Sequence, residues 1–415
     1  MYFADRMNRL GTEKAFEVGM EVDNLRRQGK DIISFGAGEP DFNSPEHVKA
    51  AGTEAINNND THYTVSSGTL EFRQSVADHI AETRGAKIDP EEVIATPGAK
   101  SIICYSVASC VNPGDEVIYP NPGYPIYPSM INFFGATAVP LPLLEEMEFR
   151  FSIDDLKSRI TGKTRMLIIN SPQNPTGSKL TKQDLEEIAE LAVKHDLWVL
   201  SDEIYGRINY DAKPGVVESI FAEPGMRERT IILDGHSKIY AMTGWRLGYA
   251  VICNKELMEH FTRLVINFNA CVSGFTLKAG QAALTGSQKS SENMVNEFRA
   301  RRDLIVDGLN SIPGVKCHRP HGAFYVFPNV TECCRMRGFK DALDLQKYLL
   351  YEGGIAVLAR IFFGEKNAEE KQEYIRLSYA TSRELITQGL KRMKHALEDE
   401  EKIRNWLKST STPGS

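Results

Sequence analysis

The sequence lacks a long hydrophobic run. None of its apolar stretches approaches the about 18 residues that a membrane-spanning helix needs, so no transmembrane segment is predicted. The first ten residues include Asp5, Arg6 and Arg9 and do not contain the apolar core of a secretory signal peptide. We therefore expect a cytoplasmic protein with no membrane partner.

The sequence also lacks an excess of positive charge and any cysteine pattern of a metal site. Its 49 lysines and arginines are outnumbered by 55 aspartates and glutamates, which gives a net charge of −6. The one dense basic cluster, Arg299–Arg302, is typical of a solvated helix face, so no nucleic-acid partner is expected. The seven cysteines, of which only Cys333 and Cys334 are adjacent, do not have metal-ligand spacing. We predict reduced thiols and no metal site.

Short apolar runs alternate with helix-length segments from about Val93 to Ile252. The segment 182–195, for example, places Leu185, Ile188 and Ala192 on one face of a helix. The seven strand candidates are 93–95, 116–119, 136–141, 166–169, 198–200, 230–233 and 247–252. This alternation predicts an α/β fold whose mostly parallel sheet is covered by helices on both faces.

The pattern changes after about Asn293, where strands and helices no longer alternate strictly. A helix through Asn310, strands at 322–327 and 374–379, a helix near 340–353 and a closing helix at 383–398 predict a smaller α+β domain. We also expect an N-terminal helix at about 12–28 and a frayed tail at 409–415.

The segment 237–249, Ser-Lys-Ile-Tyr-Ala-Met-Thr-Gly-Trp-Arg-Leu-Gly-Tyr, carries the most specific chemistry of the chain. Lys238 can hold an aldehyde as a Schiff base, and Arg246 can hold a phosphate with its planar guanidinium. Pyridoxal 5'-phosphate (PLP) carries both groups. Two further segments, Asn-Ser-Pro-Gln-Asn-Pro-Thr-Gly at 170–177 and Trp-Val-Leu-Ser-Asp-Glu-Ile-Tyr at 198–205, lie at the ends of strand candidates, where α/β sheets place ligand groups.

In this order and spacing, the three motifs resemble those of class I/II PLP-dependent aminotransferases of fold type I. The similarity is closest to the class I-gamma aspartate aminotransferases and runs from about Ile33 to about Arg392. It implies a large PLP-binding domain at 46–290, with a doubly wound, mostly parallel, seven-stranded sheet. It also implies a discontinuous smaller α+β domain at 1–45 and 291–415, and a homodimer with shared active sites.

The resemblance assigns roles around the cofactor ring. Lys238 binds PLP covalently and, once the substrate amine has displaced it, moves a proton between the substrate carbon and the cofactor. Asp202 pairs with the pyridine nitrogen, while Asn174 and Tyr205 hydrogen-bond the 3'-oxygen. Glu203 is expected to be structural, because adjacent strand residues point to opposite faces.

Phosphate binding is expected to be shared between a helix start and two side chains. Free backbone amides and the positive dipole end of a helix attract an anion, and a hydroxyl and a guanidinium add to them. In the family a phosphate-binding serine often lies three positions before the lysine, but here that residue is Gly235. The expected phosphate ligands are Gly98, Ala99, Lys100, Ser237 and Arg246.

Four further positions match family residues around the substrate. Tyr124 matches the aromatic residue that stacks on the cofactor ring, and Tyr63 matches the tyrosine that reaches the phosphate of the neighbouring subunit. Gly38 lets the backbone approach the substrate closely, since glycine has no side chain. Arg376, together with Asn174, matches the group that holds the substrate α-carboxylate.

The chain departs from the family pattern at 357–364, Val-Leu-Ala-Arg-Ile-Phe-Phe-Gly, where relatives often carry a Pro-Gly pair and a small residue. Arg360 either pairs with the distal carboxylate of a substrate or is a solvated loop residue; both interpretations stay open at this point. The substrate is therefore less defined than the reaction.

The resemblance implies a transaminase that moves the amino group of an L-amino acid to a 2-oxo acid. Aspartate is the first choice of donor and 2-oxoglutarate of acceptor, and aromatic amino acids, alanine and diaminopimelate are alternative donors. A PLP-dependent C–S lyase and a non-enzymatic ligand sensor are the alternative functions.

Overall fold

The structure is a computed structural model that describes residues 1–410. The strands are β1 (Ile33–Ser34), β2 (Val93–Thr96), β3 (Glu116–Asn121), β4 (Thr137–Pro142), β5 (Thr164–Asn170), β6 (Trp198–Asp202), β7 (Thr230–Gly235), β8 (Gly248–Ile252), β9 (Tyr325–Val326), β10 (Ile355–Ala356), β11 (Leu358–Ala359) and β12 (Ile375–Ser378). The helices are α1 (Ala15–Arg27), α2 (Glu46–Asn57), α3 (Leu70–Arg84), α4 (Lys100–Cys110), α5 (Ile126–Phe133), α6 (Ile153–Arg159), α7 (Lys182–Lys194), α8 (Lys255–Asn269), α9 (Gly274–Thr285), α10 (Lys289–Asn310), α11 (Thr331–Arg337), α12 (Ala342–Tyr351), α13 (Arg383–Glu398) and α14 (Glu400–Thr410).

A seven-stranded sheet forms the centre of the larger part of the chain. Its strand order is β2-β8-β7-β6-β5-β3-β4, and β8 runs antiparallel to both of its neighbours while the other pairs are parallel. The predicted seven-stranded, mostly parallel sheet is confirmed. In the register of β5 and β6, Asn170 lies beside Asp202, so polar residues from two strands meet at one edge of the sheet.

Both faces of this sheet are buried, because successive strand residues point to opposite sides. Ile168 and Leu200 pack into one core with residues of α4, α5 and α8. Their neighbours Leu167 and Val199 pack into another with residues of α6 and α7. Continuous apolar strands are what such double coverage requires.

The ends of the chain pack together around two small sheets. β11, β12 and β9 form an antiparallel sheet, and β1 pairs with β10 in parallel. Ile33 and Phe35 share a buried core with Phe324, Ile355 and Leu377. The domain boundaries at 45 and 290 stay a prediction.

The C-terminal region differs from the expectation. The closing helix does end at Glu398, but the side chain of Asp399 accepts a hydrogen bond from the Lys402 amide (3.0 Å) and α14 begins there. Trp406 of α14 donates from Nε1 to Asp344 Oδ1 (2.9 Å). The predicted frayed tail is therefore wrong for residues 409–410, which lie in α14; residues 411–415 lie outside the described residues.

No helix within residues 1–410 is both long and apolar enough to cross a membrane. The seven cysteines are separate thiols, and Cys253, Cys317, Cys333 and Cys334 are buried. Buried thiols in apolar surroundings behave as small hydrophobic residues.

Candidate active site

Lys238 lies just beyond the end of β7 with its amine inside a cluster of aromatic rings. Its Nζ donates a hydrogen bond to the Gly38 carbonyl (2.5 Å) and lies 5.9 Å from the ring centroid of Tyr205 and 6.0 Å from that of Phe324. Burial lowers the pKa of Lys238 to about 8, and the positive charge of Arg376 acts in the same direction. An appreciable fraction of this amine is therefore neutral near pH 8, as a nucleophile requires.

Asp202 ends β6 and is buried. Its Oδ2 accepts a hydrogen bond from the Tyr127 hydroxyl (2.6 Å), and its Oδ1 accepts one from the Ile204 amide (3.2 Å). Burial raises the pKa of Asp202 to about 6, while these two hydrogen bonds act in the lowering direction. The carboxylate is held in a fixed orientation and would gain from a cationic partner.

Arg376 of β12 is buried among aromatic rings. Its Nη2 donates to the Gly36 carbonyl (2.7 Å) and its Nη1 to Asn174 Oδ1 (3.2 Å). The guanidinium carbon lies 4.4 Å from the ring centroid of Tyr325, whose hydroxyl is 2.9 Å from that of Tyr205. Within residues 1–410 no carboxylate pairs with Arg376, and its buried Nε has no hydrogen-bond partner. A buried cation without a counterion is a ready site for a carboxylate.

The turn Pro97-Gly98-Ala99 between β2 and α4 lies against Arg246. Gly98 adopts a φ of +81°, and a Cβ placed on it would collide with Arg246 Nη2. The Gly98 amide is already bonded to the Thr96 carbonyl (2.8 Å), whereas, within residues 1–410, those of Ala99, Lys100 and Ser101 at this helix start are free. Amides and a guanidinium that converge on one point favour a bound anion.

Tyr124 is partly buried and contacts Tyr127, the hydrogen-bond partner of Asp202. Its ring meets that of Tyr127 edge to face at 5.7 Å, and its hydroxyl donates to Glu13 Oε1 (2.6 Å). The Lys100 amine pairs with the same Glu13 carboxylate and lies 5.8 Å from the centroid of the Tyr124 ring.

Two predicted site residues, Ser237 and Tyr63, and the position of the missing family serine, Gly235, have different surroundings. Ser237 is buried next to Lys238, whereas Tyr63 is 89% exposed and is not brought to the cluster within one chain. Gly235 faces Gly248 across the sheet, and a Cβ at 235 would lie 2.9 Å from the Gly248 Cα. The tight approach of these strands explains why no serine side chain fits there.

The comparisons with known proteins agree with this geometry. The family model for class I and II aminotransferases matches residues 30–393. The chain is 37% identical over 398 residues to an aspartate aminotransferase of Musicola paradisiaca, with 95% of this chain and 96% of the relative covered. It is 37% identical over 375 residues to aromatic-amino-acid aminotransferase 2 of Thermococcus litoralis, with 90% and 93% covered. The solved aspartate aminotransferase of Rhizobium meliloti superposes with a TM-score of 0.89 at 33% identity, with 96% and 99% covered.

The chain belongs to the class I and II aminotransferase family. It is a transaminase, and the recognition, fold class and reaction class inferred from the motifs are confirmed. The resemblance expected from about Ile33 to about Arg392 coincides with the matched region, residues 30–393.

In this aminotransferase, Arg360 is neither solvated nor free for a substrate. Its side chain is 1% exposed, and its Nε and Nη2 donate to the two carboxylate oxygens of Glu370 (2.7 and 2.8 Å). Its Nη1 donates to the Gly364 carbonyl (2.7 Å). The expectation of a solvated loop residue is wrong, and the alternative of a distal-carboxylate ligand is disfavoured because Glu370 already occupies the guanidinium.

Glu203 belongs to a separate buried network. This agrees with the structural role that was expected because adjacent strand residues point to opposite faces. The guanidinium of Arg84 bridges Glu203 and Asp234, with 2.6 Å to each carboxylate. Burial lowers the pKa of Arg84, but the two carboxylates outweigh it and hold that pKa above its usual value. This network ties α3 to β6 and β7 beneath the site.

The sequence did not single out Glu13, Tyr127 or Tyr325. Tyr127 lies three residues after Tyr124 on the first turn of α5, and Tyr325 lies inside a strand candidate, so both had a positional signal. Glu13 precedes α1 in an exposed segment and had none.

Proposed function

We propose that this transaminase holds PLP between Lys238, Asp202 and Arg246 and uses it to transfer the amino group of an L-amino acid to a 2-oxo acid. The buried guanidinium of Arg376, which pairs with no carboxylate of residues 1–410, carries this proposal, because its charge can bind one carboxylate and already acts on the Lys238 amine. The bound cofactor supplies an aldehyde and a protonated pyridine ring, which takes up the electron pair left when Cα loses its proton.

The residues present fit PLP. A side chain at position 98 would fill the space next to Arg246, and the glycine keeps that space open. A phosphate could bind in this cradle to the Ala99 and Lys100 amides and the Ser237 hydroxyl. Asp202 is a buried carboxylate with a raised pKa, which a protonated ring nitrogen would lower by direct pairing. The Tyr205 hydroxyl and Asn174 can donate to the ring oxygen.

The side chains then act on the substrate in a fixed order. Arg376 and Asn174 hold the α-carboxylate, and Gly38 leaves its backbone open to the substrate. Once free of the cofactor, the Lys238 amine would be the group that accepts the Cα proton of the substrate. Tyr124 would lie against a bound PLP and shield it from water. Because burial lowers the pKa of Lys238 in the PLP-free protein to about 8, more of its amine is neutral and able to accept a proton near pH 8 than for an ordinary lysine.

Two donors are supported by different observations. The names of the relatives make aspartate the first donor to test, with 2-oxoglutarate as the acceptor. An aromatic donor is the second candidate. Arg360 and Lys100 are both paired with carboxylates of this chain, so neither is free to bind the second carboxylate of aspartate.

The donor test is a single-turnover panel. PLP-loaded enzyme is mixed with one amino acid at a time, without a keto acid, and conversion of the aldehyde chromophore to the amine form is followed by absorbance. The proposal predicts one equivalent of keto acid per site, and none with Lys238→Ala. No conversion with any L-amino acid, or continuous release of pyruvate and thiol from cystathionine, would contradict transamination.

We further propose that two copies share their active sites in a cytoplasmic homodimer. Tyr63, Val65 and Phe268 are 89%, 64% and 67% exposed, and a second copy could cover these large apolar side chains. Thr64 Oγ1 donates to the Val272 carbonyl (2.8 Å), so the segments that carry these residues adjoin. The seven separate thiols fit a reducing compartment.

Mixed dimers test the sharing. If Tyr63 serves the neighbouring subunit, inactive Lys238→Ala and weakened Tyr63→Ala chains should together regain activity, since one site of each mixed dimer then has both native residues. A mixture that is no more active than its components, or a monomer by light scattering, would refute the shared site.

A further inference from the structure

A carboxylate from the N-terminal segment lies at the opening of the candidate site. Glu13 Oε1 accepts a hydrogen bond from the Tyr124 hydroxyl (2.6 Å) and pairs with the Lys100 amine. The Glu13 side chain is only 16% exposed, whereas that of Lys100 is 47% exposed. Glu13 therefore points inward, although it precedes α1 in an otherwise exposed segment.

The segment that carries Glu13 is fixed to the body of the protein. Arg9 Nε donates to the Asn132 carbonyl (2.9 Å), and Ser129 Oγ donates to the Gly11 carbonyl (3.1 Å), so both hydrogen bonds attach the segment to α5. The Glu13 carbonyl accepts from the Phe16 amide (3.0 Å) and starts the first turn before α1. Its carboxylate is thus held beside Tyr124.

The charge of Glu13 also reaches the residues expected to contact the substrate. Burial lowers the pKa values of Lys238 and Arg376, and the Glu13 carboxylate acts on both in the raising direction. These residues come from different elements, the turn after β7 and strand β12, so the charge of Glu13 acts on both sides of the candidate site. The Thr243 hydroxyl donates to a second carboxylate, Glu39 Oε2 (2.6 Å), whose charge also acts on the pKa of Lys238 in the raising direction.

The other cations of the candidate site already have an expected or observed partner. Arg376 is expected to take the α-carboxylate, Arg246 the phosphate and Lys238 the aldehyde, while Arg360 is bound by Glu370. Among the residues of the candidate site, Lys100 is the remaining cation that could bind a second substrate carboxylate, and Glu13 already pairs with it.

We propose that Glu13 is a specificity-determining residue that competes with the second carboxylate of a dicarboxylic substrate for Lys100. Dicarboxylic acids then bind only by displacing Glu13, whereas substrates with an uncharged or aromatic side chain bind without that step. The inference rests on the proposed transamination and defines its substrate class: monocarboxylic amino acids are favoured over dicarboxylic ones of similar size, so the aromatic donor is favoured over aspartate, the donor that the relatives' names suggest.

Binding of unreactive acids to the PLP-loaded enzyme tests this without turnover. Succinate is aspartate without its amine, and 3-phenylpropionate is phenylalanine without its amine. In Glu13→Gln, isothermal titration calorimetry should show succinate binding about tenfold tighter, because a nearby like charge has been removed. The affinity for 3-phenylpropionate should change less than about twofold. Glu17→Gln, which removes an exposed carboxylate one turn later on α1, should change neither.

The double variant Glu13→Gln/Lys100→Gln should lose the gain in succinate affinity. Unchanged or weaker succinate binding in Glu13→Gln, a gain that persists without Lys100, or an equal loss for both acids would each overturn the inference. Failure of the proposed function would look different: the native enzyme would then convert no amino acid in single turnover, whatever its affinities for the two acids.

Discussion

Removal of the Tyr127 hydroxyl should raise the pKa of Asp202. Tyr127 is fully buried and donates one of the two hydrogen bonds that the Asp202 carboxylate accepts, at 2.6 Å. A hydrogen bond to a charged group contributes about 1.5–3 kcal/mol, and one pKa unit corresponds to about 1.4 kcal/mol. Tyr127→Phe should therefore raise the pKa of Asp202 in the PLP-free protein from about 6 by about one to two units.

The same change has a defined effect on stability. The folded pKa of Asp202 lies above the unfolded value of about 3.9, so the folded protein binds the extra proton between these pH values and its stability falls as pH rises through that window. Tyr127→Phe extends the window upward. Its loss of unfolding free energy should therefore be larger at pH 8 than at pH 5.

Carbon-13 NMR of the aspartate carboxyls in the PLP-free enzyme measures this directly, with Asp202→Asn to assign the signal. Tyr105→Phe is the matched control, since Tyr105 is a buried tyrosine that donates to Asn269 instead. An Asp202 titration that stays near pH 6 in Tyr127→Phe, or that moves equally in Tyr105→Phe, would refute the reasoning.

Four other changes separate the functions of the site. Arg376→Met should lower kcat/KM for the amino acid by about 10²–10⁴, because two charge-assisted hydrogen bonds of about 1.5–3 kcal/mol each are lost; a loss below tenfold in steady-state kinetics would argue against carboxylate binding. Gly98→Ala should weaken PLP binding at least about tenfold in equilibrium dialysis, since the left-handed backbone and Arg246 leave no space for a Cβ; native affinity would disprove the cradle. Arg84→Met should lower the free energy of unfolding by about 3–5 kcal/mol, because two buried carboxylates lose their counterion; a near-native urea midpoint would be inconsistent with that network. In the PLP-free protein, Lys238 has a folded pKa of about 8, below its unfolded value, so stability gains with pH between about 8 and 10; Lys238→Met should lack this gain, and identical pH profiles would exclude a lowered pKa.

The strands of the large sheet were predictable because double burial leaves a simple signal. Runs such as Met166–Ile169 are apolar on both faces, and the helix at 182–195 has a clear periodicity that the structure places in α7. The second helix at the C-terminus was not predictable from periodicity alone. It depends on Asp399, which ends α13 and caps α14, so one residue both stops and restarts a helix.

The site was predictable where chemistry needs a specific residue at a specific spacing. Lys238, Asp202 and Arg376 are such residues, and the structure brings their side chains to one region. Side-chain contacts that only the folded chain creates were not predictable. Arg360 looked like a loop residue because its partner Glu370 is defined only by the fold, and Glu13 reaches Tyr124 across 111 positions of the chain.

Every proposed role in this site depends on PLP held covalently at Lys238. Borohydride reduction of the PLP-loaded enzyme, followed by proteolysis and peptide mass mapping, locates that bond. One reduced pyridoxyl group per chain is expected on the peptide that contains Lys238, and none in Lys238→Ala. A label on another lysine, or an enzyme that takes up no such chromophore, would contradict it.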